Sequence, residues 1–340
     1  MTLTLQEYCS LARYHTFGIP AKARWLATIE AATQLDELKA HPVLSTQPWL
    51  VIGGGSNLLP TQDYPGVVVR MVMEGKTLVR ENDDHVWIEA AAGENWHAFV
   101  QWTLANGWYG LENLSLIPGT VGAAPIQNIG AYGVELKDCF ESLTAWSKDD
   151  GHLFTLDREA CAFGYRDSVF KHALKDNAVI VSVCFRLSKT PDVKTGYGEI
   201  ERELANTGIR QPTPAQVAQA VIHIRQRKLP DPAVIGNAGS FFKNPVVAQA
   251  QADLLSEQFP ALVRYPAGEG RVKLAAGWLI DQCGWKGKNM GNAGVYDKQA
   301  LVLVNRGGAT GAEVKALAEA IMASVRQKFG VQLEPEPIIL

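Results

Sequence analysis

Apolar and polar positions fall into short registers that change period along the chain. From Thr28, a candidate N-cap, the residues Ile29, Ala32, Leu35 and Leu38 fall on one helical stripe that runs to Lys39. Trp49 to Ile52 is a brief apolar run that stops at Gly53, which predicts a strand entering a glycine turn. Val67–Met71 and Val86–Ala90 predict further strands. Trp96, Phe99, Val100, Thr103 and Leu104 then take helical spacing up to Asn106-Gly107, where an amphipathic helix should end. Ser142–Trp146 and Ala178–Leu187 predict strands, the second apolar enough to be central. The N-terminal half is therefore mixed α and β.

A polar segment over residues 191–214, punctuated by Pro191, Gly196, Gly198, Gly208, Pro212 and Pro214, predicts a domain connection. Thr213 should cap a helix with Pro214 in its first turn and Val217, Val221 and Ile224 as its buried stripe. Lys228, eleven residues after Val217, returns to the same angle on that helix. A cation there either complements the helix C-terminus or points into a site. Thr310 and Glu313 make a capping box for a last helix through Val314, Leu317, Ile321 and Val325 to Gly330. After it, Val331 and Leu333 alternate with Gln332, Glu334 and Glu336, which predicts a final strand with both glutamates on the face opposite the apolar residues.

Between these elements lies Pro118–Gly133, P-G-T-V-G-A-A-P-I-Q-N-I-G-A-Y-G, sixteen residues with four glycines, two prolines and no formal charge. A backbone so poor in Cβ bulk can take positive φ and expose its N–H groups to a large ligand. An ordinary surface loop of this length would carry charged or Ser/Asp-rich turn chemistry, so a ligand-facing cradle is the better reading. Trp49–Leu58 offers a second such turn, G-G-G-S-N. It is not a Rossmann fingerprint, because Leu58 stands where the third small residue belongs, and Gly75-Lys76-Thr77 is not a Walker A loop, because Arg70 stands where its first glycine belongs. The two charge-free turns together suggest a diphosphate-bearing cofactor held between backbone clamps.

Length and composition narrow the partners. The 340 residues fit two or three domains, and 47% apolar with 20% charged residues describes a folded globular protein. A net charge of −3 supplies no field to draw in nucleic acid or an anionic membrane. The five cysteines are scattered without a C-x-x-C pair, which argues for free thiols in a reducing compartment and against a metal site. Residues 1–21 carry Glu7, Arg13 and His15 and no apolar core of a signal peptide, so a cytoplasmic protein is expected.

The chain resembles the UDP-N-acetylenolpyruvoylglucosamine reductases from about His15 onward. The resemblance is carried in order by Val51–Leu59, Ala92-Gly93-Glu94-Asn95-Trp96, Pro118–Gly133, Phe163-Gly164-Tyr165-Arg166-Asp167-Ser168, Gly239–Pro245, Ala275–Asp281 and Leu333-Glu334-Pro335-Glu336. It implies an α+β fold with two FAD-binding subdomains of the vanillyl-alcohol-oxidase type, residues 1–70 and 71–210, and a substrate-binding domain at 211–330, with residues 330–340 returning near the active site. It implies hydride transfer from NADPH through non-covalent FAD to the enolpyruvyl group of a sugar nucleotide in peptidoglycan precursor synthesis, by a monomer. Gly53, Gly54, Gly55, Ser56, Asn57 and Leu58, then Pro118, Gly119, Thr120, Gly122, Ala123, Gln127, Asn128 and Gly130, would bind the cofactor. His and Cys, which carry covalent flavin in some relatives, are absent from Gly53–Leu59 and from the cradle. Ala123-Ala124 stand where many relatives have glycine, and are still small.

The resemblance also assigns chemistry. Hydride added to an enolpyruvyl ether leaves negative charge delocalised into its carboxylate, which needs cationic stabilisation; Arg166 matches the arginine for this, although by itself it reads as an ion pair with Asp167. Glu336 matches the family's glutamate, where spacing alone leaves Glu334 equal. Ser240 matches the proton donor to the α-carbon, a role in which a serine hydroxyl needs assistance. Arg225 and Lys228 match positions around the diphosphate, Tyr197 a mobile-loop tyrosine and Asn244 a substrate contact, while His97 reads as structural. Another oxidase or dehydrogenase of the same flavin fold, and a flavin-free binding protein, are the rival readings.

Overall fold

The computed structural model describes residues 3–340. The chain forms two compact units, one of residues up to Cys9, Ala23–Gly55 and Tyr64–Arg227, the other of Ser10–Lys22, Ser56–Asp63 and Lys228–Leu340. The first contains a four-stranded sheet in the order Thr4–Ser10, Lys22–Ile29, Tyr64–Met71, Trp49–Ile52, in which Tyr64–Met71 runs parallel to both of its neighbours. Parallel strands need cover on both faces, and Val67, Val68 and Val69 are accordingly all buried. The helix Thr33–Ala40 lays Leu35 and Leu38 on this sheet.

A five-stranded antiparallel sheet follows, in the order Leu153–Asp157, Phe140–Ser147, Ala178–Ser188, His85–Ala91, Lys76–Glu81. Ala178–Ser188 is its middle strand, as its run of apolar residues predicts. Val86, Ile88 and Ala90 alternate inward from His85–Ala91 onto the helix Trp96–Ala105, where Phe99 meets Phe185 at 5.0 Å between ring centroids. One core joins the two sheets: Trp146 stacks on Trp49 at 6.0 Å, and Ala92, Val179 and Val181 pack with Val67, Val69 and Met71. The helices Gly198–Asn206 and Pro214–Lys228 close this unit around Ile200, Leu204, Val217, Val221 and Ile224.

The second unit is built on a four-stranded sheet, Gly236–Ser240, Val302–Asn305, Ala293–Val295, Asn289–Met290, and a three-stranded one, Val246–Ala248, Arg271–Leu274, Arg264–Pro266. The helices Gln249–Gln258, Ala276–Gln282 and Gly311–Phe329 share its core. Thr310 and Glu313 form the predicted capping box of the last helix, and Gly330 ends it at φ +64°. Among the described residues no helix is long and apolar enough to cross a membrane.

Three sequence expectations are corrected. Thr28 does not cap a helix; it lies in the strand Lys22–Ile29, whose pairing with Tyr64–Met71 outweighs the accidental helical spacing, and the helix begins at Thr33. The segment 191–214 is not a bare connection, since Gly198–Asn206 is helical and packs with the next helix. Val331–Glu336 is not a strand. Its pairing stops at one isolated antiparallel bridge between Pro335 and Phe242, because Pro335 and Pro337 cannot donate to a ladder, and the strand is Ile338–Ile339, parallel to Leu58–Leu59.

His15, 5% exposed, contacts the Ile19 carbonyl through Nε2 at 3.0 Å, and its Nδ1 has no partner. Burial lowers its pKa below the ordinary 6.5. The unfolded chain therefore takes up a proton that the folded one resists, and the contribution of neutral His15 is intact above about pH 6.5 and lost as pH falls from there. Urea denaturation from about pH 7 down to about pH 5 should show falling stability, and His15→Gln should flatten that slope.

Candidate active site

The cradle is hung on the end of a strand. After His85–Ala91, residues 92–96 turn into the helix Trp96–Ala105, whose N-cap Asn95 accepts from the Ala98 N–H at 2.9 Å. Against this segment lie residues 119–122: Trp96 N–H donates to the Gly119 carbonyl at 3.1 Å, Val121 N–H to Glu94 at 2.9 Å and Gly122 N–H to Ala92 at 2.9 Å. Glu94, buried, receives the Gly75 N–H at 2.8 Å on one carboxylate oxygen and Lys76 Nζ at 2.6 Å on the other. Gly122 is small because a Cβ there would stand 2.5 Å from Ala92 Cβ.

The other glycine turn closes on the same place. A Cβ on Gly53 would lie 2.1 Å from Thr120 Oγ1, and one on Gly54 would lie 3.2 Å from Gly119 Cα, so the two turns read separately in the sequence are in backbone contact. Gly55 at φ +61° and Gly119 at φ +113° supply the left-handed conformations that the approach requires. Thr120 Oγ1 is buried there without a hydrogen-bond partner. A buried hydroxyl left unmatched between two glycine backbones fits the phosphate oxygens of a dinucleotide, which would supply its missing partner.

The rest of Pro118–Gly133 is more ordered than a loop. Val121–Ala123 and Pro125–Gln127 are one-turn 3-10 helices, and Gly130–Ala131 pairs with Val134–Glu135 as a hairpin turned by Tyr132 at φ +51° and Gly133 at φ +82°. Asn128, placed among the cofactor contacts by resemblance, is fully buried, and its amide is occupied within the protein. Nδ2 donates to Glu135 at 3.0 Å and to the Gly164 carbonyl at 2.9 Å, while Oδ1 accepts from Lys137 N–H at 3.1 Å. Its side chain braces the cradle.

Asn128 leads to the arginine loop. Arg166 has φ +54°, a left-handed conformation that costs a side-chain-bearing residue on the order of 1–3 kcal/mol. Its Nη2 donates to the Gly130 carbonyl at 2.7 Å. Asp167 holds His172 Nε2 at 2.8 Å and accepts from the Ser168 N–H at 3.0 Å. Ser168, buried, donates from Oγ to the Ile126 carbonyl at 2.7 Å. Loop and cradle are thus joined at Ile126, Asn128 and Gly130.

Arg225 lies near enough for the charge of Arg166 to act on it. Burial lowers its pKa first, Tyr132 counters this as a charge and hydrogen-bond partner, and Arg166 lowers it further. Arg225 Nε donates to the Leu116 carbonyl at 3.2 Å while His97 Nδ1 accepts the Leu116 N–H at 3.0 Å, which holds Leu116 at φ +58° and agrees with a structural His97. Tyr197 meets Tyr132 edge to face at 5.4 Å. The first unit therefore gathers Arg166, Arg225 and Tyr197 around the end of the cradle, a pair of guanidiniums suited to an anionic ligand. Lys228 is the half-buried last residue of its helix.

In the second unit Ser240 ends Gly236–Ser240 just after a register shift, with Gly239 at φ +67° and its N–H on Asn237 Oδ1 at 2.9 Å. A bulge of this kind re-aims the residue that follows it. Glu336 is brought beside it: Glu336 N–H donates to the Phe241 carbonyl at 2.8 Å, and Asn57 Nδ2 to the Glu336 carbonyl at 3.2 Å. Lys243 N–H pairs with the Glu334 carbonyl at 2.9 Å, and the exposed Glu334 carboxylate meets Lys243 Nζ at 3.2 Å. The two glutamates, equal by spacing, differ in burial and partners. Asn244 Oδ1 accepts from the Ala276 N–H at 2.9 Å, Ser56 offers its carbonyl to Thr16 Oγ1 at 3.4 Å, and Leu58 pairs with Ile338.

Residues 43–157, which span both glycine turns, match the family model of an FAD binding domain. With the clamp they form, this makes the chain a flavin-dependent oxidoreductase. Residues 231–340 match the UDP-N-acetylenolpyruvoylglucosamine reductase C-terminal domain. UDP-N-acetylenolpyruvoylglucosamine reductases of Chromobacterium violaceum and Pseudomonas aeruginosa are each 56% identical, the first over 100% of both chains and the second over 99% of both. The chain belongs to the UDP-N-acetylenolpyruvoylglucosamine reductases. The crystal structure of the Thermus caldophilus reductase, 24% identical, has the same fold at a TM-score of 0.69 over 100% of this chain and 99% of that one.

Sequence reasoning assigned no role to Glu94, Lys76, Tyr132 or Asn113, whose Nδ2 ties the Tyr132 carbonyl at 3.0 Å to that of Lys194 at 2.8 Å. Each acts through a partner far along the chain, so local spacing carries no signal of it. Thr120→Ala should leave the apoprotein as stable as before or more so, because it removes an unmatched hydroxyl. It should weaken FAD binding about 10-fold to 100-fold, the worth of a hydrogen bond to a charged group. Fluorescence titration of apoprotein with FAD, beside thermal melts, reads both.

Proposed function

We propose that this reductase converts UDP-N-acetylglucosamine enolpyruvate to UDP-N-acetylmuramate in peptidoglycan precursor synthesis, with NADPH as reductant, as a cytoplasmic monomer. Residues 1–70 and 71–210 serve as the two FAD-binding subdomains and 211–330 as the substrate domain, with 330–340 returning to the site. FAD, when bound, supplies the chemistry that relays a hydride from NADPH to the enolpyruvyl group. Arg166 stabilises the negative charge that develops on the substrate carboxylate. Ser240 delivers the proton to the α-carbon, and Glu336 assists by hydrogen bonding. Arg225 and Lys228 hold the diphosphate, Tyr197 closes over it, and Asn244 contacts the substrate.

The observation that carries this reading is the placement of Ser240: it follows a bulge at a left-handed glycine, and the Glu336 N–H is bonded to the carbonyl of the next residue, Phe241. A turn serine would need neither feature. The rival oxidase reading has no use for a proton donor at this position.

The test separates the half-reactions. NADPH acts before the enolpyruvyl substrate arrives, so a proton donor to product has no part in flavin bleaching. In stopped-flow absorbance Ser240→Ala should bleach near normally with NADPH, and colour should return about 10²–10⁴-fold more slowly when the enolpyruvyl substrate is added. Ser240→Cys should retain more activity, since a thiol can still donate. Equal slowing of both phases would show that Ser240 only shapes the flavin pocket.

A further inference from the structure

Arg166 is held in a conformation that its own chain disfavours, and the restraints on it are unevenly distributed. Its left-handed φ of +54° turns its carbonyl out of the short bridge between Gly164 and Asp167, where Gly164 N–H meets the Asp167 carbonyl at 3.0 Å. That carbonyl is taken by Lys171 Nζ at 2.9 Å. Lys171 ends the single 3-10 turn Val169–Lys171, whose N-cap Ser168 accepts from Phe170 N–H at 3.3 Å and is itself bonded to Ile126. The turn that carries Lys171 is therefore anchored to the cradle through Ser168, and its ammonium binds the Arg166 peptide.

We propose that Lys171 is a positioning residue for the reaction: by binding the Arg166 carbonyl it keeps that peptide in the left-handed state from which the guanidinium reaches Gly130 and the substrate carboxylate. A charged donor suits this position, because its hydrogen bond is stronger than a neutral one and offsets the tendency of Arg166 to relax to negative φ. Without it the loop keeps Ser168 and Asn128 as anchors, so the protein folds, but the Arg166 peptide is free to turn and the guanidinium loses its aim. The neighbouring charges are Arg166 itself, Asp167, which is occupied by His172, and Glu135, which binds Lys137 Nζ at 2.7 Å.

The inference rests on the reading of Arg166 given above, and its test keeps the two apart. Lys171→Met should melt near the parent temperature, bleach normally with NADPH and bind the sugar nucleotide with little change, while recovery of flavin colour on adding enolpyruvyl substrate slows about 10-fold to 100-fold, as expected for a misplaced catalytic group. Lys171→Arg should restore most of the rate. In an Arg166→Ala background Lys171→Met should add no further loss. Recovery at the parental rate in Lys171→Met, or an equal further loss in the Arg166→Ala background, would overturn the proposal. Normal recovery in Arg166→Ala alone would instead remove the catalytic reading of Arg166. Should Lys171→Met fail to fold, Lys171→Gln gives the same measurement with the charge removed.

Discussion

The close approach of two glycine backbones, Gly53-Gly54 to Gly119-Thr120, is the constraint on which the first unit depends. It requires that no Cβ stand between them, since one on Gly53 would lie 2.1 Å from Thr120 Oγ1. It also requires that each turn be held from behind. One is the end of the edge strand Trp49–Ile52, which pairs parallel to the buried Tyr64–Met71; the other is bonded to Ala92, Glu94 and Trp96 at 2.9, 2.9 and 3.1 Å. Glu94 adds a charged anchor by binding Lys76 and the Gly75 N–H with both its oxygens. A clamp of backbone groups thus gains stiffness from the elements behind it.

The same cradle carries the chemistry forward. Its far end is sewn to the Arg166 loop through Ile126, Asn128 and Gly130, and these bonds are short, 2.7 to 2.9 Å. Strain at Arg166 persists because the surrounding contacts over-determine it. The glycine clamp and the Arg166 loop form one covalently continuous, multiply bonded piece, so the position of one restricts that of the other. Ser240 is aimed by different means, a bulge and a left-handed glycine in a second sheet.

Periodicity alone was enough for elements whose stability is local. The last helix matched to its capping box and terminal glycine, and the helix after Thr213 matched with its stripe of Val217, Val221 and Ile224. Failures came where distant partners decide. Thr28 has helical spacing behind it but pairs as a strand with Arg70. Val331–Glu336 alternates like a strand, yet prolines deny it a ladder, and Leu58-Leu59 draw the pairing to Ile338-Ile339.

The sequence by itself determined the candidate residues: two charge-free glycine turns, a serine after a glycine, and the motif order that marks a UDP-N-acetylenolpyruvoylglucosamine reductase. Only the tertiary structure decided which side chains serve as braces. Asn128, buried with its amide spent on Glu135, Gly164 and Lys137, and Glu94, closed on Lys76, are polar residues whose spacing looks no different from that of a ligand contact. It also distinguished Glu336, beside Phe241, from Glu334, exposed and paired with Lys243. The reason is physical: helix caps and glycine turns are set by interactions a few residues apart, whereas the partner of a buried polar group is set by whichever segment the fold brings against it.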